Sequence, residues 1–176
     1  MLESHYLEVV LLPSQLIVDF TKCTGCRICE LACSAKHEGI FQPSLARLKI
    51  VKYDDLGLDI PNVCGPCETA PCVDICPTFA MRRDPITKMT FLENNKCILC
   101  KSCVGACVNG VIVLDTNQMR IIKCDHCGGN PECAQVCPTG AIIYSDAAVA
   151  PSLDRHSKIS EYLKEIGRTA QESGAD

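Results

Sequence analysis

Cys23-Thr24-Gly25-Cys26-Arg27-Ile28-Cys29-Glu30-Leu31-Ala32-Cys33 spaces four cysteines at gaps of two, two and three residues. Cys97, Cys100, Cys103 and Cys107 repeat that spacing. Two further groups widen the middle gap and end in Cys-Pro: Cys64, Cys67, Cys72 and Cys76 before Pro77, and Cys124, Cys127, Cys133 and Cys137 before Pro138. The 16 cysteines of this 176-residue chain fall into four groups of four with none left over. Such a density marks a disulfide scaffold or a metal protein. Cysteine also inflates the hydrophobic fraction of 47%, there is no Trp, and a core this thin needs something else to staple it.

The spacing has a chemical reason. Three thiolates two residues apart on a curled loop reach three irons of one cubane, and the fourth, about a helical turn on, faces a different cubane. The loop amides point at the sulfurs, and proline after the last cysteine turns the chain out of the site. Structural zinc instead takes two separated Cys-x2-Cys knuckles around one ion, which suits groups two and four alone but not groups one and three. Disulfides need an oxidising compartment. Met1-Leu2-Glu3-Ser4-His5-Tyr6 has no basic leader region, Glu8 and Pro13 interrupt the nearest apolar stretch, and no run approaches the ~18 apolar residues of a membrane span. The expectation is a cytoplasmic chain with four [4Fe–4S] clusters and no membrane span. Spacing alone leaves two pairings of the groups open, one nested and one sequential.

With every thiol in a complete four-ligand set, no iron is left open to activate a substrate, and no acid–base pair stands out. One-electron transfer remains, without a catalytic site in this chain. The net charge of -4 argues against nucleic acid as a partner, and no P-loop or dinucleotide-binding glycine motif occurs. Four clusters at about -2 each take the loaded protein to about -12, which favours basic partner surfaces. Arg27, Lys96 and Lys101 lie beside ligands, either raising local potentials or standing as ordinary solvated charges. His37 and His126 read as structural neighbours of the cysteines rather than ligands, and Met81, Met89 and Met119 as hydrophobic packing on hairpins.

Between the cysteines, Leu16 to Phe20 reads as a strand and Arg27 to Glu38 as a helix closed by Gly39. Arg47 to Lys52 reads as a strand with its basic residues outward. Ala80–Arg83 with Lys88–Leu92, and Val111–Leu114 with Met119–Ile122, read as hairpins across Asp84-Pro85 and Asp115-Thr116-Asn117. Ser152 is a candidate cap for a C-terminal helix with an Ile159, Tyr162, Leu163 and Ile166 stripe, packed on its own domain or on a partner.

The four-group order, with Cys-Pro closing groups two and four, resembles the four-cluster iron–sulfur subunits of molybdenum and tungsten pterin oxidoreductases over residues 16 to about 145. The first group together with His37-Glu38-Gly39-Ile40-Phe41-x-Pro43 is similar to the small subunits that accompany tungsten aldehyde oxidoreductases. The resemblance implies an α+β fold of two interleaved or tandem bacterial 2[4Fe–4S] ferredoxin-like units, with short hairpins, short helices and terminal extensions. It implies the nested pairing: Cys23, Cys26, Cys29 with Cys137; Cys124, Cys127, Cys133 with Cys33; Cys64, Cys67, Cys72 with Cys107; and Cys97, Cys100, Cys103 with Cys76. The outer unit would span 16–45 and 115–146 and the inner unit 46–114, with extensions at 1–15 and 147–176. The implied role is an electron-transfer subunit beside a catalytic tungsten or molybdenum pterin subunit that oxidises an aldehyde. Electrons would pass on to ferredoxin or a flavin (FAD) subunit. A free-standing polyferredoxin, or a relay for a hydrogenase, carbon monoxide dehydrogenase or respiratory reductase, is the alternative. End-to-end self-association into a longer relay is compatible with either.

Overall fold

A computed structural model describes residues 14–65, 67, 69–146, 161, 162 and 164. The expectations for residues 1–13, and for most of the C-terminal extension, lie outside the described residues. Short elements dominate: strand β1 (Ser14–Val18), helix α1 (Ile28–Glu38), strands β2 (Lys49–Tyr53) and β3 (Leu58–Asn62), and helix α2 (Pro71–Asp74). Strands β4 (Met81–Arg83) and β5 (Thr90–Leu92), helix α3 (Ser102–Ala106) and strands β6 (Val113–Asp115) and β7 (Arg120–Ile122) follow, then helix α4 (Glu132–Gln135) and strand β8 (Ile142–Asp146). The strands form antiparallel pairs, β1 with β8, β2 with β3, β4 with β5 and β6 with β7.

The β1–β8 pair joins the two ends of the cysteine-bearing region, with Val18 opposite Ile142 and Leu16 opposite Tyr144. Extension stops sooner than the apolar run suggests. The Asp19 side chain accepts the N–H of Thr21 and starts a turn, so Phe20 sits in a one-turn helix rather than the strand. Helix α1 buries Cys29, Glu30, Cys33 and Ser34 along one stripe and ends at Gly39 in the left-handed region, as expected. Strand β2 starts two residues later than read. Its partner β3 was not foreseen, because Pro61 argues against a strand. A two-stranded ribbon tolerates that proline, opposite Ile50.

The β4–β5 and β6–β7 hairpins use one device. Asp84 Oδ1 accepts the N–H groups of Ile86 and Thr87, and Asp115 Oδ1 those of Asn117 and Gln118. Lys88 and Met119 then take left-handed backbone. Met81 is fully buried as read, but Met119 stands at this turn 58% exposed and does not pack.

Two cores result. One gathers Leu16, Ala46, Leu48, Ile50, Val63 and Ile142 around Cys29, Cys33 and Cys133. The other gathers Met81, Ile112 and Ile121 around Cys72 and Cys103. Residues 46–63, expected with the inner groups, contribute to the first core. The β6–β7 hairpin, expected to straddle a boundary at 114/115, packs on the second. Each hairpin covers cysteines near it in space that are distant from it in sequence. Tyr162 meets Phe20 edge-on at 5.6 Å, so this residue of the expected stripe packs on its own chain.

Candidate iron–sulfur centres

The cysteine loops are curled by left-handed residues at matching places. Gly25 and Leu99 precede the second cysteine of groups one and three, and Arg27 and Lys101 follow it. Gly25 is forced twice over: its φ is +63°, and a Cβ there would lie 2.4 Å from the Asp59 carboxylate. After the last cysteine of groups two and four, Cys76-Pro77-Thr78-Phe79 and Cys137-Pro138-Thr139-Gly140 make the same turn, with Phe79 and Gly140 at φ 54° and 66°. The helices carry Cys29 and Cys33 (α1), Cys72 (α2), Cys103 (α3) and Cys133 (α4); α1 packs against α4 and α2 against α3.

This packing brings the groups together in pairs. Cys23, Cys26 and Cys29 line one recess with Cys137. Cys97, Cys100 and Cys103 line another with Cys76. Cys33 lies in the electrostatic reach of Cys127 and Cys133, and Cys133 in that of Cys124. Cys67 and Cys72 interact with Cys64 and with Cys107. Cys124 also feels Cys64, which links the two halves. All 16 thiols are free, and of them Cys26 and Cys100 are exposed.

Burial dominates their chemistry. It pushes the thiols of Cys29 and Cys133 up to about 12 and that of Cys103 to about 11, and it raises Cys124 as well. Cys76 and Cys137 go the other way. Their partial burial is outweighed by backbone N–H groups of Met81 and Ile142 and by the hydroxyls of Thr78 and Thr139, leaving both thiols below the usual 9.0. N–H groups also reach sulfur from Met81 to Cys76 (3.4 Å), Arg47 to Cys33 (3.3 Å) and His126 to Cys124 (3.4 Å). A soft, all-sulfur donor set with amides aimed at the sulfurs fits an iron–sulfur cluster, whose core supplies the positive charge that buried thiolates need.

The charges near the ligands sort differently from the sequence reading. Arg27 Nε donates to the buried Glu30 carboxylate at 2.6 Å, and Lys96 pairs with Glu93, so both are locally neutralised. Among the described residues, the cation that touches a cysteine sulfur is Lys123, which sequence reasoning missed: Nζ lies 3.3 Å from Cys64 Sγ. Its only signal was a lysine directly before a ligand, as Lys22 and Lys96 also are. His37 Nε2 sits 3.4 Å from Cys127 Sγ, and burial, then Arg47, hold its pKa below the usual 6.5. His126 Nε2 lies 2.9 Å from the Cys64 carbonyl. A carbonyl only accepts, so Nε2 carries the proton. Glu30 was missed too. Its carboxylate accepts the Ile50 N–H at 2.9 Å and fastens β2 to α1. Among the described residues, no helix is long and apolar enough to cross a membrane.

A family model described as a 4Fe-4S dicluster domain matches residues 57–147. The polyferredoxin-like subunit of the aliphatic sulfonate oxidoreductase of Pyrococcus furiosus is 38% identical over 122 residues, covering 69% of this chain and 70% of that one. Electron transport protein HydN of Escherichia coli K12 is 33% identical over 156 residues, covering 74% of this chain and 87% of HydN. The beta subunit of the NADH-dependent phenylglyoxylate dehydrogenase of Aromatoleum evansii is 31% identical over 132 residues, which span 73% of this chain and 29% of that subunit. With the cysteine spacing, the paired recesses and these relatives together, the chain belongs to the 4Fe-4S dicluster domain family.

Proposed function

We propose that this chain is a four-cluster electron-transfer subunit of an oxidoreductase complex, with ligand sets shared between groups one and four and between groups two and three. The observation that carries the reading is the convergence of Cys23, Cys26 and Cys29 on Cys137, and of Cys97, Cys100 and Cys103 on Cys76. Cys64, Cys67 and Cys72 would complete a set with Cys107, and Cys124, Cys127 and Cys133 with Cys33. When bound, each [4Fe–4S] cluster supplies a one-electron couple. The protein's own part is to hold the thiolates, aim amides at them and exclude water from the middle of the chain.

The order of the sets follows from their neighbours. The Cys124 and Cys64 sets adjoin in the middle, while the end sets each own one of the two exposed cysteines, Cys26 and Cys100. Electrons enter at one end and leave at the other. With the β2–β3 hairpin assigned to the outer unit and the β6–β7 hairpin to the inner one, the units comprise residues 14–63 with 123–146, and 64–122.

The partner is a catalytic tungsten or molybdenum pterin subunit that oxidises an aldehyde, with ferredoxin or a flavin subunit as acceptor. Support for this finer part is the likeness of the first group and of His37-Glu38-Gly39-Ile40-Phe41 to the small subunits of such enzymes. Anaerobic capture of the tagged chain, followed by metal analysis of what it retains and an aldehyde-oxidation assay, tests it. Tungsten or molybdenum in stoichiometric amount with aldehyde oxidation is the expected result. Nickel, or an isolated chain with no large partner, would overturn the assignment.

A further inference from the structure

Lys123 is buried, with 7% of its surface exposed, at the junction of the two halves. Its Nζ has three acceptors: Cys64 Sγ at 3.3 Å, the Cys124 carbonyl at 3.1 Å and the Thr90 carbonyl. Three acceptors call for three N–H groups, which an ammonium has and a neutral amine lacks. Among the described residues, no carboxylate lies within ion-pair distance of it. A buried charge without a counter-charge is strongly disfavoured. The negative charge facing Lys123 is sulfur from two different groups, for its field reaches Cys67 and Cys72 as well as Cys124.

We infer that Lys123 is a fixed positive charge between the two middle clusters that raises the reduction potentials of both and so holds the electron at the centre of the relay. The inference rests on the four-cluster reading above. The physical reason is Coulombic. Reduction adds one negative charge to a cluster, and a cation a few ångströms away in a low-dielectric interior stabilises the reduced form over the oxidised one. Lys123 also belongs to both halves at once, since it follows β7 directly, precedes Cys124, and donates to Cys64 and to β5. It is therefore a positioning residue, acting on the electrons through the ligands.

The test is an EPR-monitored redox titration of the full chain, prepared anaerobically as wild type, K123M, K123Q and K123R, with iron and sulfide assayed on each. In K123M and K123Q two of the four couples should move to lower potential. The ratio of reduced to oxidised cluster at fixed potential should fall about tenfold, or about 59 mV for a one-electron couple. The other two couples should stay in place, and K123R should titrate like wild type. Loss of iron from K123M and K123Q but not K123R would support the same requirement for charge, because glutamine keeps a donor. Unchanged couples in an iron-replete K123Q, an equal shift of all four, or loss of iron from all three variants would overturn it. A wild type holding fewer than about sixteen irons would instead defeat the four-cluster reading itself.

Discussion

At the scale of single residues, two side chains and one absent side chain set the first cysteine loop. Gly25 has left-handed backbone with the Asp59 carboxylate against it, and Asp59 is itself held by Lys52 at 2.7 Å. G25A should therefore cost about 1–2 kcal/mol from backbone conformation alone, and more because the Lys52–Asp59 pair must move. The readout is a lower temperature for bleaching of the iron–sulfur absorbance, with iron lost from one cluster first. Glu30, wholly buried, holds Arg27 and the Ile50 N–H. E30L would strand that N–H in the core, an expected loss of about 1–3 kcal/mol in the same assay. E30Q, which keeps an acceptor for Ile50, should lose less. The cysteines were legible because their spacing is the signal. Glu30 and Lys123 were not, because their meaning comes from partners 20 and 59 residues away.

At the scale of elements, the repeat visible in the cysteines extends to backbone geometry. Cys76-Pro77-Thr78-Phe79 and Cys137-Pro138-Thr139-Gly140 turn alike, yet one carries phenylalanine in left-handed backbone and the other glycine. Phe79 is 72% exposed, so it contributes little packing to offset its conformational cost. F79G should leave thermal stability within about 0.5 kcal/mol of wild type, as relief of strain offsets the freer unfolded chain. G140F should lose about 1–2 kcal/mol. Equal losses from the two changes, measured by thermal bleaching, would contradict the equivalence of the turns. The two later hairpins were readable from their Asp-led turns, while β3 was hidden by Pro61. The early end of β1 came from a local hydrogen bond at Asp19 that competes with extension.

For the whole molecule, charged side chains fasten the halves where the apolar core is thin. Arg120, on the hairpin packed with the second core, donates to Glu38 at the end of α1 and to Asp115. Arg47 completes the chain of charges between Glu38 and Asp125, which precedes the fourth group's His126 and Cys127. R120M should cost about 1–2 kcal/mol, a buried-pair loss discounted for the partial exposure of the guanidinium. Its bleaching temperature should fall while its iron content at low temperature stays complete. The Arg120–Glu38 pair is not visible in a sequence, since it spans 82 residues. The same holds for the choice between nested and sequential pairing. Spacing left it open, and the contacts that bear on it, β1 with β8 and α1 with α4, exist only once the chain has folded.

The central claim is that the 16 thiols serve four saturated cubanes in one continuous path. Counting iron and acid-labile sulfide per chain in anaerobically purified protein tests it most directly. About sixteen of each, in a brown protein whose visible absorbance bleaches on reduction by dithionite, is the predicted result. A colourless protein, zinc in place of iron, or about eight irons per chain would contradict it.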